Sequence, residues 1–477
     1  MLNFVLNGEK ILKIMMRFNV KIEIKFVDFY MNIQYTMFSA LGGGLIMYRK
    51  IMGFLEAWKK SKYRKPLILK GARQVGKTYS VLEFGRTHYE NVAYFNFETN
   101  PKLNETFEEN ISPDYLIPIL SHIAGQTIVR EKTLIILDEV QLCERALTSL
   151  KYFCEDAPDY HIIAAGSLLG VAVNRARFSF PVGKVDMKTM YPMDMEEFMI
   201  AQGEDALVEQ IKKCFETNSP MPAALHNAAM QLYRQYLVVG GMPECVMQFK
   251  ETKDYILVRH TQDTILASYL NDMSKYNNLN EIKKTRLAYD NITVQLSKKN
   301  TRFQYKLIKK GGRASEFENA IEWLCLSGIV SQVYKAEQIK KPLENYRDIN
   351  AFKIYVSDLG LLCAKKDLMA NDILYMVEEI NDFKGGMAEN YVNVQLCINK
   401  YNTYYWESER GAEIDFVIQR DGQLIPIEVK SADNTRAKSL KVYMDTYKPA
   451  YAIKLSAKNF AFEDNKKVVP LYAAFCI

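Results

Sequence analysis

The sequence predicts an α/β protein that begins with a parallel sheet. Residues 66–69, 133–137 and 161–165 are continuous apolar runs, which are typical of strands buried on both faces of a sheet. Residues 91–97 alternate and are rich in β-branched and aromatic side chains, so they predict a further strand. A glycine-containing loop follows the first run and two acidic residues follow the second. Ligands of such sheets bind at the carboxyl ends of the strands, and we expect the site there.

The segment after the first strand is predicted to be a phosphate-binding loop. It reads G-x-x-x-x-G-K-T and lies between a strand and a helix. Its glycines permit dihedrals that turn successive N–H groups toward an anion, and the helix adds its positive amino end. The residues expected to bind the nucleotide are Gly71, Ala72, Arg73, Gln74, Val75, Gly76, Lys77 and Thr78. The chain is therefore predicted to bind ATP.

Asp138 and Glu139 directly follow the second apolar run and match a Walker B motif. We expect Thr78 and Asp138 to hold Mg²⁺, and Glu139 to orient or deprotonate the attacking water. The residues assigned to catalysis are Lys77, Glu139 and Ser167.

Ser167 follows the third apolar run, where a polar side chain can contact the γ-phosphate or the water. The alternative is a serine that only shapes a turn. Arg175 and Arg177 come shortly afterwards, and either is a candidate arginine finger.

Composition narrows the class of protein. The 477 residues are 48% hydrophobic and 25% charged, as in an ordinary globular protein, and the length suggests about three domains. No apolar stretch approaches the ~18 residues of a membrane-spanning helix, so no membrane association is expected. The eight cysteines form no C-x-x-C pair, which disfavours a zinc site or disulfide framework and favours a reducing cytoplasm. We expect residues 1–46 to be an extension upstream of a natural start at Met47.

A local basic block lies between residues 283 and 313. It holds ten Lys and Arg against one acid, Asp290, although the whole chain carries only +6. Such a block can be a nucleic-acid contact, in which case binding would weaken steeply with salt. The alternative is a solvated helix face next to a basic loop.

The middle of the chain reads as largely helical between residues 225 and 330. A helix at 317–326 is followed by strand-like residues 329–334 and 353–357. Helices followed by a two-stranded wing predict a winged-helix module.

Near the C-terminus, residues 413–419 and 424–430 alternate on either side of Asp421-Gly422, which predicts a β-hairpin. Two carboxylates and a lysine on one face of a hairpin are the arrangement of metal-dependent nucleases. The candidate residues are Glu389, Asp415, Glu428 and Lys430. The alternative is a surface ladder of ion pairs, and Pro426 counts against a central strand.

These segments together resemble prokaryotic AAA-type P-loop ATPases that carry a C-terminal domain of unknown function. The resemblance covers residues 47–477 and rests on segments 66–78, 137–141, 165–167, 236–243, 351–362, 386–392, 413–415 and 427–430. It implies ATP binding and a C-terminal domain with a PD-(D/E)XK nuclease-like fold. Gly183-Lys184 stands where the family often has Gly-Arg. If that position contacts phosphate, lysine keeps the positive charge but cannot form the two parallel hydrogen bonds of an arginine guanidinium.

The resulting organisation has four parts. Residues 1–46 are the extension, 47–220 the P-loop AAA-type domain, 221–368 a helical lid with a winged-helix-like region, and 369–477 the nuclease-like domain. Two functions fit this order. One is an ATPase that drives a DNA-binding or DNA-cutting assembly, and the other is a nucleotide-gated switch or scaffold whose last domain only binds. Assembly into an oligomer is compatible with either.

Overall fold

The computed structural model describes residues 47–171, 180–275, 279–297, 302–431 and 438–477. The predicted extension, residues 1–46, lies outside the described residues. The two candidate arginine fingers, Arg175 and Arg177, also lie outside them.

Five strands of the described residues form an all-parallel sheet. They are β1 (Leu67–Lys70), β2 (Asn91–Asn96), β3 (Thr133–Asp138), β4 (His161–Gly166) and β5 (Asp186–Thr189). Their order is β2-β3-β4-β1-β5, and every neighbouring pair is parallel. The parallel sheet predicted from the apolar runs is therefore confirmed.

Helices cover this sheet and share its apolar core. They are α1 (Lys50–Lys60), α2 (Lys77–His88), α3 (Lys102–Glu109), α4 (Pro113–Ala124) and α5 (Glu144–Asp156). Ile68, Ile135 and Ala164 of the strands belong to one buried cluster with Phe107 and Leu150 of the helices. The core therefore fixes the strand ends from which the candidate site is built.

A set of helices follows the parallel sheet, as the sequence predicts for residues 225–330. They are α6 (Met195–Ala201), α7 (Asp205–Thr217), α8 (Ala223–Val239), α9 (Pro243–Thr252), α10 (Tyr255–Lys275), α11 (Leu279–Leu296), α12 (Tyr305–Ile308) and α13 (Ala314–Leu326). Pro243 is the first residue of its helix, where its missing N–H breaks no intrahelical bond.

The C-terminal half contains an eight-stranded mixed sheet. Its strands are β6 (Val330–Ala336), β7 (Arg347–Val356), β8 (Tyr404–Glu407), β9 (Glu413–Arg420), β10 (Gln423–Val429), β11 (Ala452–Ser456), β12 (Ala461–Glu463) and β13 (Lys466–Pro470). The order is β12-β13-β11-β10-β9-β8-β6-β7. The remaining helices are α14 (Leu359–Lys365), α15 (Ala370–Leu374), α16 (Asn381–Ile398) and α17 (Lys438–Tyr447).

The two strands interpreted as a wing do not form a separate hairpin beside the helices. β6 pairs with β7 on one side, but it also pairs in parallel with β8 on its other side. The wing strands are thus one edge of the C-terminal sheet, and that sheet crosses the proposed domain boundary at residue 368. The winged-helix interpretation is not supported, because pairing with a strand that begins at Tyr404 is not visible in local sequence.

The predicted β-hairpin is present. β9 and β10 are antiparallel, and Asp421 and Gly422 both have positive φ, as a two-residue type I′ turn requires. Pro426 pairs with Val417 on β9, and the pairing of β10 with β11 begins only at Ile427. Pro426 therefore sits where β10 has a partner strand on one side, which explains its tolerance within the sheet.

No helix among the described residues is both long enough and apolar enough to span a lipid bilayer.

Candidate active site

The predicted nucleotide residues converge at one edge of the parallel sheet. The phosphate-binding loop leaves the carboxyl end of β1, Asp138 is the last residue of β3, and Ser167 follows β4. β4 pairs with both β1 and β3, so these three ends are neighbours. This edge is where open parallel sheets bind ligands.

Two glycines give the loop its shape. Gly71 has φ 156°, and a Cβ there would lie 2.1 Å from the backbone oxygen of Met190. Gly76 has φ 89°, in the left-handed region, and directly precedes α2. Larger residues would force the loop away from Met190 or strain its final turn. The loop therefore presents its backbone to a ligand at the amino end of α2, where anions are favoured.

Lys77 is the cation of this loop. It is buried, and its Nζ donates to the carbonyl oxygens of Gly71 at 2.9 Å and Ala72 at 2.7 Å. Burial lowers its pKa to about 8, and the positive charge of Arg73 acts in the same direction, against Glu139 and Asp138. A buried ammonium that is held only by carbonyl oxygens is ready to be stabilised by phosphate.

Thr78 and Asp138 form the candidate magnesium site. The Thr78 hydroxyl donates to Asp138 Oδ2 at 2.9 Å, and the Tyr94 hydroxyl donates to the same oxygen at 2.8 Å. Mg²⁺ binds oxygen ligands at about 2.0–2.1 Å in an octahedron, whose adjacent ligands are therefore about 2.9 Å apart. The hard-oxygen chemistry and the spacing of Thr78 and Asp138 both fit this ion.

Glu139 adopts a left-handed backbone conformation, with φ 51°, directly after β3. Such conformations in residues other than glycine concentrate at functional sites. The Gln141 amide donates to its carboxylate. Burial raises the pKa of Glu139, while this hydrogen bond lowers it. The carboxylate is thus held at the site edge, in a setting that favours proton acceptance nearer to neutral pH.

Ser167 is buried at the carboxyl end of β4, next to these residues. A Cβ on the preceding Gly166 would lie 1.9 Å from Gln141 Oε1, so the end of β4 packs tightly against Gln141. The position fits a contact to the ligand, and the roles assigned to Ser167, Glu139 and Lys77 remain predictions.

Lys184 does not lie at the carboxyl edge of the parallel sheet. β5 begins at Asp186, whose partner is Leu67 at the start of β1, so Lys184 lies at the amino-terminal edge of the sheet. Its Nζ pairs with Glu155 at 2.9 Å. The phosphate-binding loop is at the opposite end of β1, and Lys184 therefore cannot stand in for a phosphate-binding arginine.

Three residues that sequence reasoning missed hold the loop and the neighbouring Asp138 in place. Arg49 donates to the Val75 carbonyl at 3.1 Å and pairs with Glu197 at 3.2 Å. The Arg73 guanidinium pairs with buried Asp272 at 2.7 Å, although the two are 199 residues apart. Tyr94, the third, was read only as part of a strand. No local pattern marks these residues, because each acts through a contact distant in sequence.

A second cluster lies on the C-terminal sheet and contains all four candidate nuclease residues. Asp415 and Glu428 lie directly beyond the pair Phe416–Ile427, at the end of the β9–β10 ladder away from the turn. Asp415 Oδ2 also accepts from the Val429 N–H at 2.7 Å, and Glu428 pairs with Lys430 at 2.6 Å. Burial raises the pKa of Asp415 to about 8, and the next cause is the negative charge of Glu389 on α16. The structure therefore brings these residues together.

Lys353 of β7 is an unexpected member of this cluster. It is buried, lies 3.3 Å from Glu389 Oε2 and also pairs with Glu413. The neighbouring Tyr355 hydroxyl donates to the same oxygen of Glu389 at 2.9 Å. Glu389 is therefore neutralised by an ammonium. No sequence pattern marks Lys353, because β7 was interpreted as a wing strand.

Two observations bear on whether this cluster can hold a metal ion, and they point in opposite directions. Among the described residues no group of three or more His, Cys, Asp or Glu side chains is arranged to hold a metal. One oxygen of buried Glu428, Oε2, nevertheless has no hydrogen-bond partner there. An orphaned buried carboxylate oxygen is costly and favours an absent ligand.

The basic block is partly neutralised by acidic side chains. Lys284 pairs with Glu281 at 2.9 Å and Lys309 with Glu316 at 2.8 Å. Lys298 and Lys299 lie outside the described residues. These pairs favour the solvated helix face for part of the block, and its contact with nucleic acid stays a prediction.

Comparison with known proteins divides the chain into three matched segments. Residues 63–199 match the family model of an AAA domain. Residues 230–372 and 384–474 match two domains of unknown function, DUF8612 and DUF4143. A search of curated proteins finds no match.

Several solved structures are similar in part. The Walker-type ATPase PABY2304 of Pyrococcus abyssi is 13% identical, with 67% of this chain and 96% of that chain covered and a TM-score of 0.41. Aeropyrum pernix ORC2, in ADPNP–ADP complexes, is 12% identical, with 69% and 95% covered and a TM-score of 0.32. The Thermotoga maritima RuvB Holliday junction branch migration motor is 15% identical, with 59% and 87% covered and a TM-score of 0.27. Likenesses this low carry no conclusion about what this chain does.

The family match and the geometry agree on the first domain. The parallel sheet, its phosphate-binding loop and the acidic residues after β3 all lie within residues 63–199. Neither the nuclease-like nor the winged-helix identity is confirmed by the other two matches. Residues 63–199 therefore match an AAA domain in sequence and carry the parallel sheet and phosphate-binding loop of a P-loop NTPase fold.

Proposed function

We propose that this chain binds and hydrolyses ATP with Mg²⁺ at the carboxyl edge of the parallel sheet. The observation that carries the proposal is the convergence of Lys77, the Thr78–Asp138 pair and Glu139 around one loop. The loop N–H groups and Lys77 bind the phosphates, and Thr78 and Asp138 hold the ion. Bound Mg²⁺ supplies charge neutralisation of the phosphates. Glu139 orients the attacking water and accepts its proton.

The test uses three variants of the full chain. Lys77→Ala is expected to lose binding of a fluorescent ATP analogue, because the buried cation is gone. Glu139→Gln is expected to bind the analogue and to hydrolyse ATP about 10²- to 10⁴-fold more slowly, the usual range for losing general-base catalysis. Lys62→Ala, at an exposed lysine after α1, is the matched control. Unchanged turnover in Lys77→Ala would rule out the proposed site.

We further propose that ATP turnover serves a C-terminal domain that acts on nucleic acid. Support comes from the clustering of Glu389, Asp415, Glu428 and Lys430, and from the unpartnered Oε2 of Glu428. The cluster would hold a divalent ion through Asp415 and Glu428, with Lys430 beside them. Nicking of supercoiled plasmid with Mg²⁺ or Mn²⁺, lost in Asp415→Ala and in Lys430→Ala, is the expected result. ATP hydrolysis measured with and without single- and double-stranded DNA tests the coupling.

The alternative is a nucleotide-gated switch whose C-terminal domain binds without cutting. The ion pairs of buried Lys353 with Glu389 and Glu413 favour it, because they already neutralise carboxylates that a metal would need. Absence of nicking in the wild type with either metal would support this function. If the wild type does not nick, Lys353→Met tests the structural role of the ion pairs: it should lower the free energy of unfolding, because it leaves buried carboxylates unpaired.

A further inference from the structure

A cleft of about 800 Å³ lies between the edge of the parallel sheet and the C-terminal sheet. Its walls come from α1, from β5 and the residues after it, from β6 and β8, and from the end of α16. The volume is within the ~300–1,000 Å³ typical of ligand sites. It shares no residue with the Asp415 cluster, and it adjoins the nucleotide edge, because Arg49 and Met190 of its wall also contact the phosphate-binding loop.

The charges that line this cleft are of two kinds. Arg49, Lys50 and Arg347 have carboxylate partners: Arg49 pairs with Glu197 at 3.2 Å, Arg347 with Glu344 at 2.6 Å, and Lys50 with Asp194 and Glu196. Lys188 and Lys400 differ, because among the residues the structure describes neither forms an ion pair. The cleft therefore holds two cations without a protein anion to neutralise them.

These two lysines lie next to each other on the cleft wall, close enough for their side chains to interact. Burial lowers the pKa of Lys188, and the adjacent positive charge of Lys400 lowers it further. The Lys188 Nζ also lies 4.9 Å from the centre of the Phe54 ring. Two like charges held together beside an aromatic ring are unfavourable alone, and an anion between them would relieve the repulsion.

The rest of the wall is rich in aromatic side chains. Tyr191, Tyr334, Tyr401 and Tyr404 line the cleft together with Phe54. Paired cations with flat aromatic surfaces are the combination that binds nucleotides of single strands, through phosphate contacts and base stacking.

We propose that this cleft binds a nucleotide unit, with its phosphate against the adjacent Lys188 and Lys400 and its base against the tyrosine-lined wall. The unit belongs either to single-stranded nucleic acid or to a free mononucleotide, since both present the same phosphate and base. The site does not depend on the proposed ATP hydrolysis, because its occupancy can be measured without ATP.

The test measures binding of a fluorescently labelled twelve-residue oligothymidylate and, separately, of thymidine monophosphate. In the double variant Lys188→Ala/Lys400→Ala we expect oligonucleotide affinity to fall at least about tenfold. The slope of log affinity against log salt should become shallower by about 0.7, since the variant loses the contact to one phosphate of a single strand. An abasic oligomer of equal length should bind more weakly than oligothymidylate. The matched control is Lys283→Ala/Lys306→Ala, which removes the same charge from exposed positions of the basic block.

Each outcome decides the proposal. Loss of oligonucleotide binding in the cleft variant alone supports it and names the single strand as the source. Binding of the monophosphate alone, lost in the same variant, supports it with a free nucleotide as the ligand. The proposal would be overturned if the wild type bound neither probe, or if the basic-block control lost as much oligonucleotide affinity as the cleft variant. It would also be overturned if polyglutamate, an anion without bases, competed as well as unlabelled oligothymidylate. Thermal unfolding of the double variant, measured in parallel, shows whether a negative result reflects failed folding.

Discussion

The buried Lys77 makes ATP binding dependent on protons. Burial lowers its pKa to about 8 in the ligand-free protein, whereas an exposed lysine titrates near 10.4. Free Lys77 is then deprotonated in about one tenth of molecules at pH 7, about half at pH 8 and about nine tenths at pH 9. Triphosphate favours the charged ammonium, so binding must restore the missing proton. Apparent affinity is expected to fall about tenfold between pH 7 and pH 9.

Isothermal titration calorimetry measures this proton directly. Titration of a non-hydrolysable ATP analogue with Mg²⁺ is repeated at pH 8 in buffers of different ionisation enthalpy, and the dependence of the heat on buffer gives the protons taken up. We expect about half a proton per site. Phosphate groups with a second pKa near 6 are already ionised at this pH, so the uptake reports the protein.

Two results would refute the reasoning. One is an affinity that stays constant between pH 7 and pH 9, and the other is zero proton uptake at pH 8. Lys77→Arg serves as the control, because arginine stays protonated throughout. Any analogue binding that this variant retains should show no proton uptake.

The other site and stability predictions are the following. Gln141→Leu removes the amide that lowers the pKa of Glu139, so the acidic limb of the ATPase pH profile should move to higher pH. An acidic limb at the same pH would show that Glu139 is not the group that accepts the proton. Gly71→Ala places a Cβ 2.1 Å from the Met190 oxygen, and the shifted loop should weaken analogue binding about tenfold or more, while unaltered affinity would contradict the close packing. Asp358→Ala removes a buried carboxylate that accepts from Gly241 and Leu361, and should lower the free energy of unfolding by about 2–4 kcal/mol in urea titrations. Because burial raises the pKa of Asp358 to about 6, the folded protein holds this proton more tightly than the unfolded chain, so its contribution to stability should decline as pH rises from about 4 to 6 and be absent in Asp358→Asn.

The nucleotide edge was predictable because its signals are local. Gly71, Gly76 and Lys77 are fixed by a motif of eight residues, and Asp138 by an apolar run that directly precedes it. A strand buried on both faces must be apolar throughout, so its end is readable from the sequence alone. The hairpin was predictable for the same reason, since its turn chemistry and alternation are contiguous.

The remaining errors and omissions concern partners far away in the chain. The wing interpretation failed because β6 lies in the same sheet as β8, and only the three-dimensional register reveals that pairing. Whether Lys184 contacts phosphate was left open in the sequence, because only the pairing of β5 with β1 shows that it lies at the opposite edge of the sheet. Lys353 and Asp272 are ordinary charged residues in sequence, and they become informative only when their buried partners are known.

Residues from the second half of the chain pack against the phosphate-binding loop. Pro243 lies 3.4 Å from the position of a Cβ on Gly76, Asp272 pairs with Arg73, and Gly328 packs against Ala72. Gly328 ends the helix that leads into the C-terminal sheet, so a movement of the loop on ATP binding is expected to reach that sheet.

Gly328→Ala tests this contact without altering a residue of the nucleotide edge. Gly328 has φ 76°, and a Cβ there would lie 3.1 Å from the Ala72 nitrogen. Gly311 is a matched control, because it has φ 78° and its Cβ would meet nothing within 4 Å. Both variants should lose about 1–2 kcal/mol of stability from the left-handed backbone. Only Gly328→Ala should also change the KM for ATP, because only its Cβ presses on the loop; equal KM values in the two variants would show that the loop does not sense the C-terminal half through this contact.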